Sequence, residues 1–354
     1  MRKVCIQVEQ RLGERLRQLL VEKELLDLEF PITKKDDLLF FPLRYEIPKS
    51  QLSKFSHIST ELKIVEKELE PFNRKPPDLA TALKGKLPDP LIESIPHSLD
   101  IIGEIAVVEL DKTMTPYESM IGKAIMKVNS RVTTVYVKEG GITGKRRIRP
   151  LRLIAGKAQS KTIHTEYGVR LAIDVTQTYF SPRLGTEHDR VTGLIQPNEV
   201  IVDMFTGVGP FALLAANRQP VTVYAIDINK HAIKCLKKSL TLNRLTGKVI
   251  PLVGDVRNIV QERLLGVADR VIMNLPHEAF SFLDVAAKAT KQHGGTIHFY
   301  GITSQTKSLE KISTEVSAQL RKQGYKTTIQ RTRIVRPSAP HENQIVLDLQ
   351  VVPG

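Results

Sequence analysis

Three acids stand where chemistry could use them. Asp203, Asp227 and Asp255 each close an apolar run that reads as a strand, in "EVIVDMF", "VTVYAID" and "VIPLVGD". After the first comes a glycine turn, "DMFTGVGPFA" (203–212), in which Gly207, Gly209 and Ala212 satisfy G-x-G-x-x-A. Asp227 lies twenty residues beyond Gly207, where a ribose-binding carboxylate belongs. Taken alone, that spacing is a dinucleotide fingerprint. Pro210 argues against it, because a pyrophosphate at the helix start needs a backbone N–H that proline lacks. A ligand with a ribose but no phosphate suits the turn better, and S-adenosylmethionine is such a ligand. Asp203 would hold the ammonium through turn amides or water, Asp227 the ribose hydroxyls, and the glycines would let the backbone approach the methionine part. Asp255 has two readings, a contact to the adenine amine or a helix N-cap. A fourth strand ends "NLP", Asn274 to Pro276, a corner able to present an amide and a carbonyl to a planar heterocycle.

These residues need elements to position them. From about 191 the pattern alternates strand and helix, which builds a parallel sheet with helices on both faces. It ends differently: "KTTIQRTRIVRP" and "QIVLDLQVV" are joined only by "SAPHEN", too short for a crossover helix, so an antiparallel hairpin is expected. That is the fold of a class I, Rossmann-like methyltransferase. Residues 100–190 read as a strand-rich α+β domain, with Val169, Leu171, Ile173 and Val175 alternating against polar neighbours. Residues 71–99 carry six of the chain's twenty prolines and read as a linker. Residues 1–70 read as a small α/β domain, with Leu12, Leu16, Leu19 and Leu20 on one helical face.

Composition narrows the setting. The 354 residues carry a formal net charge of +14, spread along the chain, which favours a phosphate-rich partner. Cys5 and Cys235 are the two cysteines, too few and too far apart for a disulfide framework. No window approaches the roughly 20 apolar residues of a membrane span, and the N-terminus lacks the apolar core of a signal peptide. A cytoplasmic, monomeric protein with no membrane contact is expected. No metal-ligand spacing appears, and a cytosine C5-methyltransferase is disfavoured because that chemistry needs a cysteine nucleophile.

Taken together, the motifs resemble the archaeal and eukaryotic type of tRNA (guanine-N1)-methyltransferase, in its three-domain archaeal form. The resemblance rests on "LLVEKELLDLEFPI", "GKRRIRPLRLIAG", "YFSPRLGTEHDR", "IVDMFTGVGPF", "YAIDIN" and "VIMNLPHEAF". It implies transfer of a methyl group from S-adenosylmethionine to N1 of the guanine at tRNA position 37. Glu187 would be the general base, Arg147 would stabilise charge on O6, and Asn274 would orient the guanine. Arg146 and Arg149 flank Arg147 and could take its place. Tyr179, Arg183 and Pro276 would shape the target-base pocket, and Phe205, Ile228, Val256, Asn274 and Pro276 would complete the cofactor set. The anticodon loop and the outer corner of the tRNA are the implied contacts, the latter for residues 1–70. Arg336 and Pro337 depart from the family pattern, and the last hairpin is left without a role. The alternatives are aminocarboxypropyl transfer or methylation of a wyosine intermediate, and, from another class, a non-catalytic tRNA-binding protein.

Overall fold

The computed structural model describes residues 1–48, 52, 55, 58, 59, 61–70, 78–96, 99–141, 144, 146–304 and 307–354. The chain divides into two compact units, Met1–Lys75 and Pro76–Gly354.

In the first unit the strands β1 (Arg2–Glu9), β2 (Thr33–Lys35), β3 (Leu38–Pro42) and β4 (Lys63–Glu68) form an antiparallel sheet in the order β2-β3-β1-β4. Helix α1 (Gly13–Glu22) lies on it by Leu16 and Leu20, both fully buried against Ile6 and Phe41. The spacing of four residues puts both leucines on one face.

The second unit opens with two short helices, α2 (Leu79–Leu83) and α3 (Asp89–Glu93). This corrects the expected linker at 71–99. Its first residues, 71–77, lie outside the described residues. From Asp78 onward the prolines punctuate helices, and Leu83, Leu87 and Ile95 are buried in a shared core with Ile121 and Val135. The prolines fit because Pro88 and Pro90 sit at the start of α3, where a missing N–H costs nothing. That core is closed by β5 (Asp100–Ile102), β6 (Ile105–Val108), α4 (Glu118–Val128), β7 (Thr134–Lys138) and β8 (Leu151–Gly156), in the sheet order β5-β6-β7-β8. The run "IIGEIAVVEL" is therefore a hairpin rather than one strand, turned at Gly103 (φ +56°).

A hairpin of β9 (Lys161–Glu166) and β10 (Val169–Asp174) follows. Its buried face is the alternating set Val169, Leu171 and Ile173. Its backbone amides at Arg170 and Ala172 bond to Asn243 Oδ1, just past the end of a later helix, and to Ser239 Oγ within it, so residues 100–190 and the parallel sheet belong to one unit. Helix α5 (Gly185–Thr192) leads into the large sheet.

That sheet contains β11 (Val200–Asp203), β12 (Thr222–Asp227), β13 (Lys248–Val253), β14 (Arg270–Met273), β15 (Gly295–Thr303), β16 (Tyr325–Ala339) and β17 (Glu342–Pro353), in the order β13-β12-β11-β14-β15-β17-β16. The first five are parallel and β17 is antiparallel to both neighbours, as the short connection requires. The strands of the final hairpin run longer than the sequence suggested, leaving only Pro340 and His341 between them. Helices α6 (Pro210–Arg218), α7 (Lys230–Leu242), α8 (Val256–Arg263), α9 (Leu283–Ala289) and α10 (Leu309–Lys322) cover the two faces. The architecture is the expected Rossmann-like methyltransferase sheet with its terminal antiparallel hairpin. Among the described residues no helix is long and apolar enough to cross a membrane. Cys5 is buried, Cys235 is half-buried, and both are free thiols.

Candidate active site

A cavity of about 1120 Å³ opens at the carboxyl ends of β11, β12 and β14, where open α/β sheets bind ligands. One wall is the glycine turn. β11 delivers Asp203 into the interior, where it is fully buried; its Oδ2 accepts from Thr206 Oγ1 at 2.7 Å and its Oδ1 has no hydrogen-bond partner among the described residues. Burial pushes the Asp203 carboxyl up to about 7. Gly207 and Gly209 both adopt left-handed backbone, at φ +56° and +86°. Their needs differ. A Cβ on Gly209 would stand 2.4 Å from Leu236 Cδ1 of α7, so this glycine serves helix packing rather than ligand approach. A Cβ on Gly207 would meet nothing nearer than the Tyr179 carbonyl at 3.7 Å. Pro210 occupies the first position of α6, as its missing N–H allows.

Asp227 ties the turn to the sheet. Its Oδ2 accepts the Gly207 N–H at 2.8 Å and its Oδ1 the Asn229 N–H at 2.7 Å. Burial pushes its carboxyl upward, against those two amide bonds. Asp255 caps α8 by accepting the Arg257 N–H at 2.9 Å, which realises the N-cap reading, and it also faces the cavity. Phe205, Ile228 and Val256 add apolar surface; Phe205 meets Phe282 edge-on at 5.0 Å.

The facing wall is assembled from separate segments. Asn274, Leu275 and Pro276 follow β14, Tyr179 lies beyond β10, and Arg147 sits in a turn held by its N–H to the Gly144 carbonyl (2.9 Å) with φ +53°. The Arg147 guanidinium stands 5.5 Å from the Tyr179 ring centroid. Arg149 instead approaches Glu109 at 3.9 Å, and Arg146 is exposed at the rim. Arg183 bonds Asp100 at 2.7 Å. Arg336 and Pro337, left unassigned from the sequence, also line this wall, with Ser181 and Gln344.

Asp203, Gly209 and Glu187 are behind the cavity surface rather than on it. Glu187 is 1% exposed, in the first turn of α5. Its carboxylate takes a fork from Arg190 (2.9 and 2.7 Å), the Tyr300 hydroxyl (2.8 Å) and a long contact from Arg333 (3.5 Å). Arg190 continues to Asp348 at 2.7 Å, and Asp348 to His298 Nδ1 at 2.6 Å. Arg270 donates to His298 Nε2 at 2.8 Å, so the ring proton lies on Nδ1 and faces Asp348. Burial opposes charge on Asp348, yet the bonds from His298 and Arg190 hold its carboxyl well below the usual range. Burial pushes the Tyr300 phenol well above its ordinary value.

The residues suit a nucleoside ligand without phosphate. The remaining lone pairs of Asp227, which lines the cavity, are acceptors for hydroxyl groups, whereas Pro210 removes a phosphate donor. Among the described residues no group of His, Cys, Asp and Glu could hold a metal ion.

Residues 162–328 match the TRM5/TYW2 methyltransferase domain, 79–160 the TYW2 N-terminal domain and 5–51 the tRNA methyltransferase 5 N-terminal domain. The chain is 36% identical over 348 residues to the tRNA (guanine(37)-N(1))-methyltransferase Trm5b of Pyrococcus abyssi, covering 98% of this chain and 99% of that one. This chain belongs to the Trm5 family of tRNA methyltransferases. A second Trm5b, from Methanocaldococcus jannaschii, is 33% identical over 98% of both chains. Among solved structures, aTrm5 in complex with tRNALeu superposes with a TM-score of 0.81 at 32% identity, over 98% of this chain and 99% of that chain.

Proposed function

We propose that this protein transfers a methyl group from S-adenosylmethionine to N1 of the guanosine at position 37 of tRNA. The observation that carries the reading is the single cavity that joins the Asp227 turn to the wall of Asn274, Pro276, Tyr179 and Arg147. When bound, S-adenosylmethionine supplies an electrophilic methyl group. Asp227 accepts from the ribose hydroxyls, and Phe205, Ile228 and Val256 enclose the apolar parts of the nucleoside. Asp203, fully buried beneath the turn, acts on the ammonium through the turn amides or water rather than by direct contact.

Guanine N1 carries a proton that must leave as the methyl group arrives. Glu187 accepts it, and Arg147 stabilises the charge that then develops on O6. Because the Glu187 carboxylate is already held by Arg190, Tyr300 and Arg333, it must exchange one partner for the substrate. Arg333, 44% exposed and at 3.5 Å, holds it least tightly. The tRNA is a partner that the net charge of +14 favours. A base in the anticodon loop is unstacked and can be splayed into the cavity at modest cost. The Met1–Lys75 unit contacts the outer corner of the tRNA in this reading.

The test is nucleoside mass spectrometry after incubating S-adenosylmethionine and the protein with unmodified tRNA transcripts bearing guanosine or adenosine at position 37. N1-methylguanosine from the first transcript alone is the expected outcome. No methylated product, with cofactor binding intact, would overturn the reading in favour of aminocarboxypropyl transfer or a pre-modified wyosine substrate.

A further inference from the structure

We infer that Arg336 and Gln344 act as positioning residues that fix which face of the Asn274 amide meets the target base, and so make the corner read a keto purine rather than an amino purine. The inference rests on the methyl-transfer reading above.

The argument begins with the final hairpin. Arg336 pairs across the ladder with Gln344, and register shifts lie on both sides of it, between Ile334 and Arg336 and between Pro337 and Ala339. Such bulges re-aim side chains. Here the guanidinium is turned to the cavity wall, where Nε donates to Gln344 Oε1 (3.1 Å), Nη1 to Ser181 Oγ (2.9 Å) and Nη2 to Tyr179 Oη (3.2 Å). A guanidinium has no acceptor, so Gln344 must present its carbonyl oxygen to it. Gln344 is 3% exposed, which leaves no bulk water to satisfy the reverse orientation. Its Nε2 therefore faces Asn274 and donates to Oδ1 at 3.1 Å. This bond turns Oδ1 toward the hairpin, which leaves the Nδ2 donors of Asn274 for the cavity that it lines.

The consequence is chemical. The edge of guanine that carries N1 has one acceptor, O6, beside the N1–H and the exocyclic amine. Adenine has an amine at the same position, which would meet the Asn274 donors donor to donor. O6 has a second lone pair, which remains for Arg147, so two donors converge on the atom that gains charge as N1 loses its proton. Tyr179 and Ser181 are held by the same guanidinium, which couples the placement of the pocket wall to the polarity of the amide.

The test measures single-turnover methylation of G37 and A37 transcripts, with cofactor affinity determined on each preparation. Gln344→Glu keeps the side-chain shape but can only accept; it reverses Asn274 and is expected to slow G37 methylation about 30-fold and lower the G37-to-A37 ratio at least tenfold. Gln344→Met removes polarity without reversing it and should cost about tenfold. Arg336→Met should also cost about tenfold, and Arg336→Lys, which keeps a donor for Gln344, about threefold. Cofactor affinity should stay within twofold throughout. A packing role predicts the opposite order at position 344, with the isosteric Glu milder than Met. That order, or a G37-to-A37 ratio unmoved in both Gln344→Glu and Arg336→Met, would overturn the inference. If Gln344→Glu fails to fold, the Arg336 pair decides alone, by whether Lys outperforms Met. Failure of the wild-type protein to methylate G37 would instead strike the methyl-transfer reading itself.

Discussion

The two walls of the cavity are built by different means. The turn wall is backbone held by one carboxylate: Asp227 fixes the Gly207 and Asn229 amides, and Gly209 is pressed against Leu236. The facing wall is side chains holding side chains, with Arg336, Gln344 and Asn274 in series and Glu187 clamped behind them by Arg190 and Tyr300. A backbone wall has few alternative arrangements, so damage there should appear as lost folding and lost cofactor binding. A side-chain wall can lose or exchange one partner while the fold persists, so damage there should appear as altered rate and base preference.

The largest expected effect breaks the turn wall. Gly209→Val combines a left-handed φ of +86° with a Cβ 2.4 Å from Leu236 Cδ1, and should cost on the order of 4 kcal/mol of stability and abolish cofactor binding. Gly207→Ala, with the same handedness but open space, provides the control in chemical denaturation and cofactor titration, at about 1 kcal/mol. Equal losses at the two glycines would show that packing against α7 does not set the turn.

Next in size is a pH effect on the same wall. The Asp203 carboxyl titrates near 7 in the folded protein and near 3.9 in the unfolded chain. Between those values the folded state holds a proton that the unfolded chain has released, so Asp203 lowers stability progressively as pH rises from about 4 to about 7. Asp203→Asn removes that slope. Its melting temperature should lie above wild type at pH 8, by a margin corresponding to roughly 4 kcal/mol that narrows by more than half at pH 5 and closes only below about pH 4. A constant offset across this range would mean that Asp203 does not carry the proton.

A smaller stability change than at Gly209 or Asp203 is expected at Glu187, where it accompanies a large kinetic one. Glu187→Gln preserves shape and leaves Arg190 paired with Asp348, so the loss should be about 2 kcal/mol. Methyl transfer should fall at least about 100-fold if Glu187 takes the N1 proton, with cofactor affinity nearly intact. Loss of cofactor binding in this variant would erase the distinction between the walls.

The amino-acid sequence by itself determined the sheet, its hairpin ending and most of the turn wall. Those features depend on local pattern: apolar runs ended by Asp203, Asp227 and Asp255, a glycine turn with Pro210, and a connection too short for a helix. A strand must end where its sheet ends, so an acid closing each run is placed at the carboxyl edge without further information. Over 78–96 proline density is ambiguous, because it marks helix starts as well as linkers, and burial of Leu83 and Leu87 separates the two. Tertiary structure alone decided that Gly209 serves packing, that Glu187 lies clamped within the protein, and that Arg336 reaches Tyr179, 157 residues away in sequence. Such contacts are set by bulges, strand register and side-chain partners from distant segments. The polarity of an amide chain likewise depends on which donor ends it, and no spacing of residues along the chain records that.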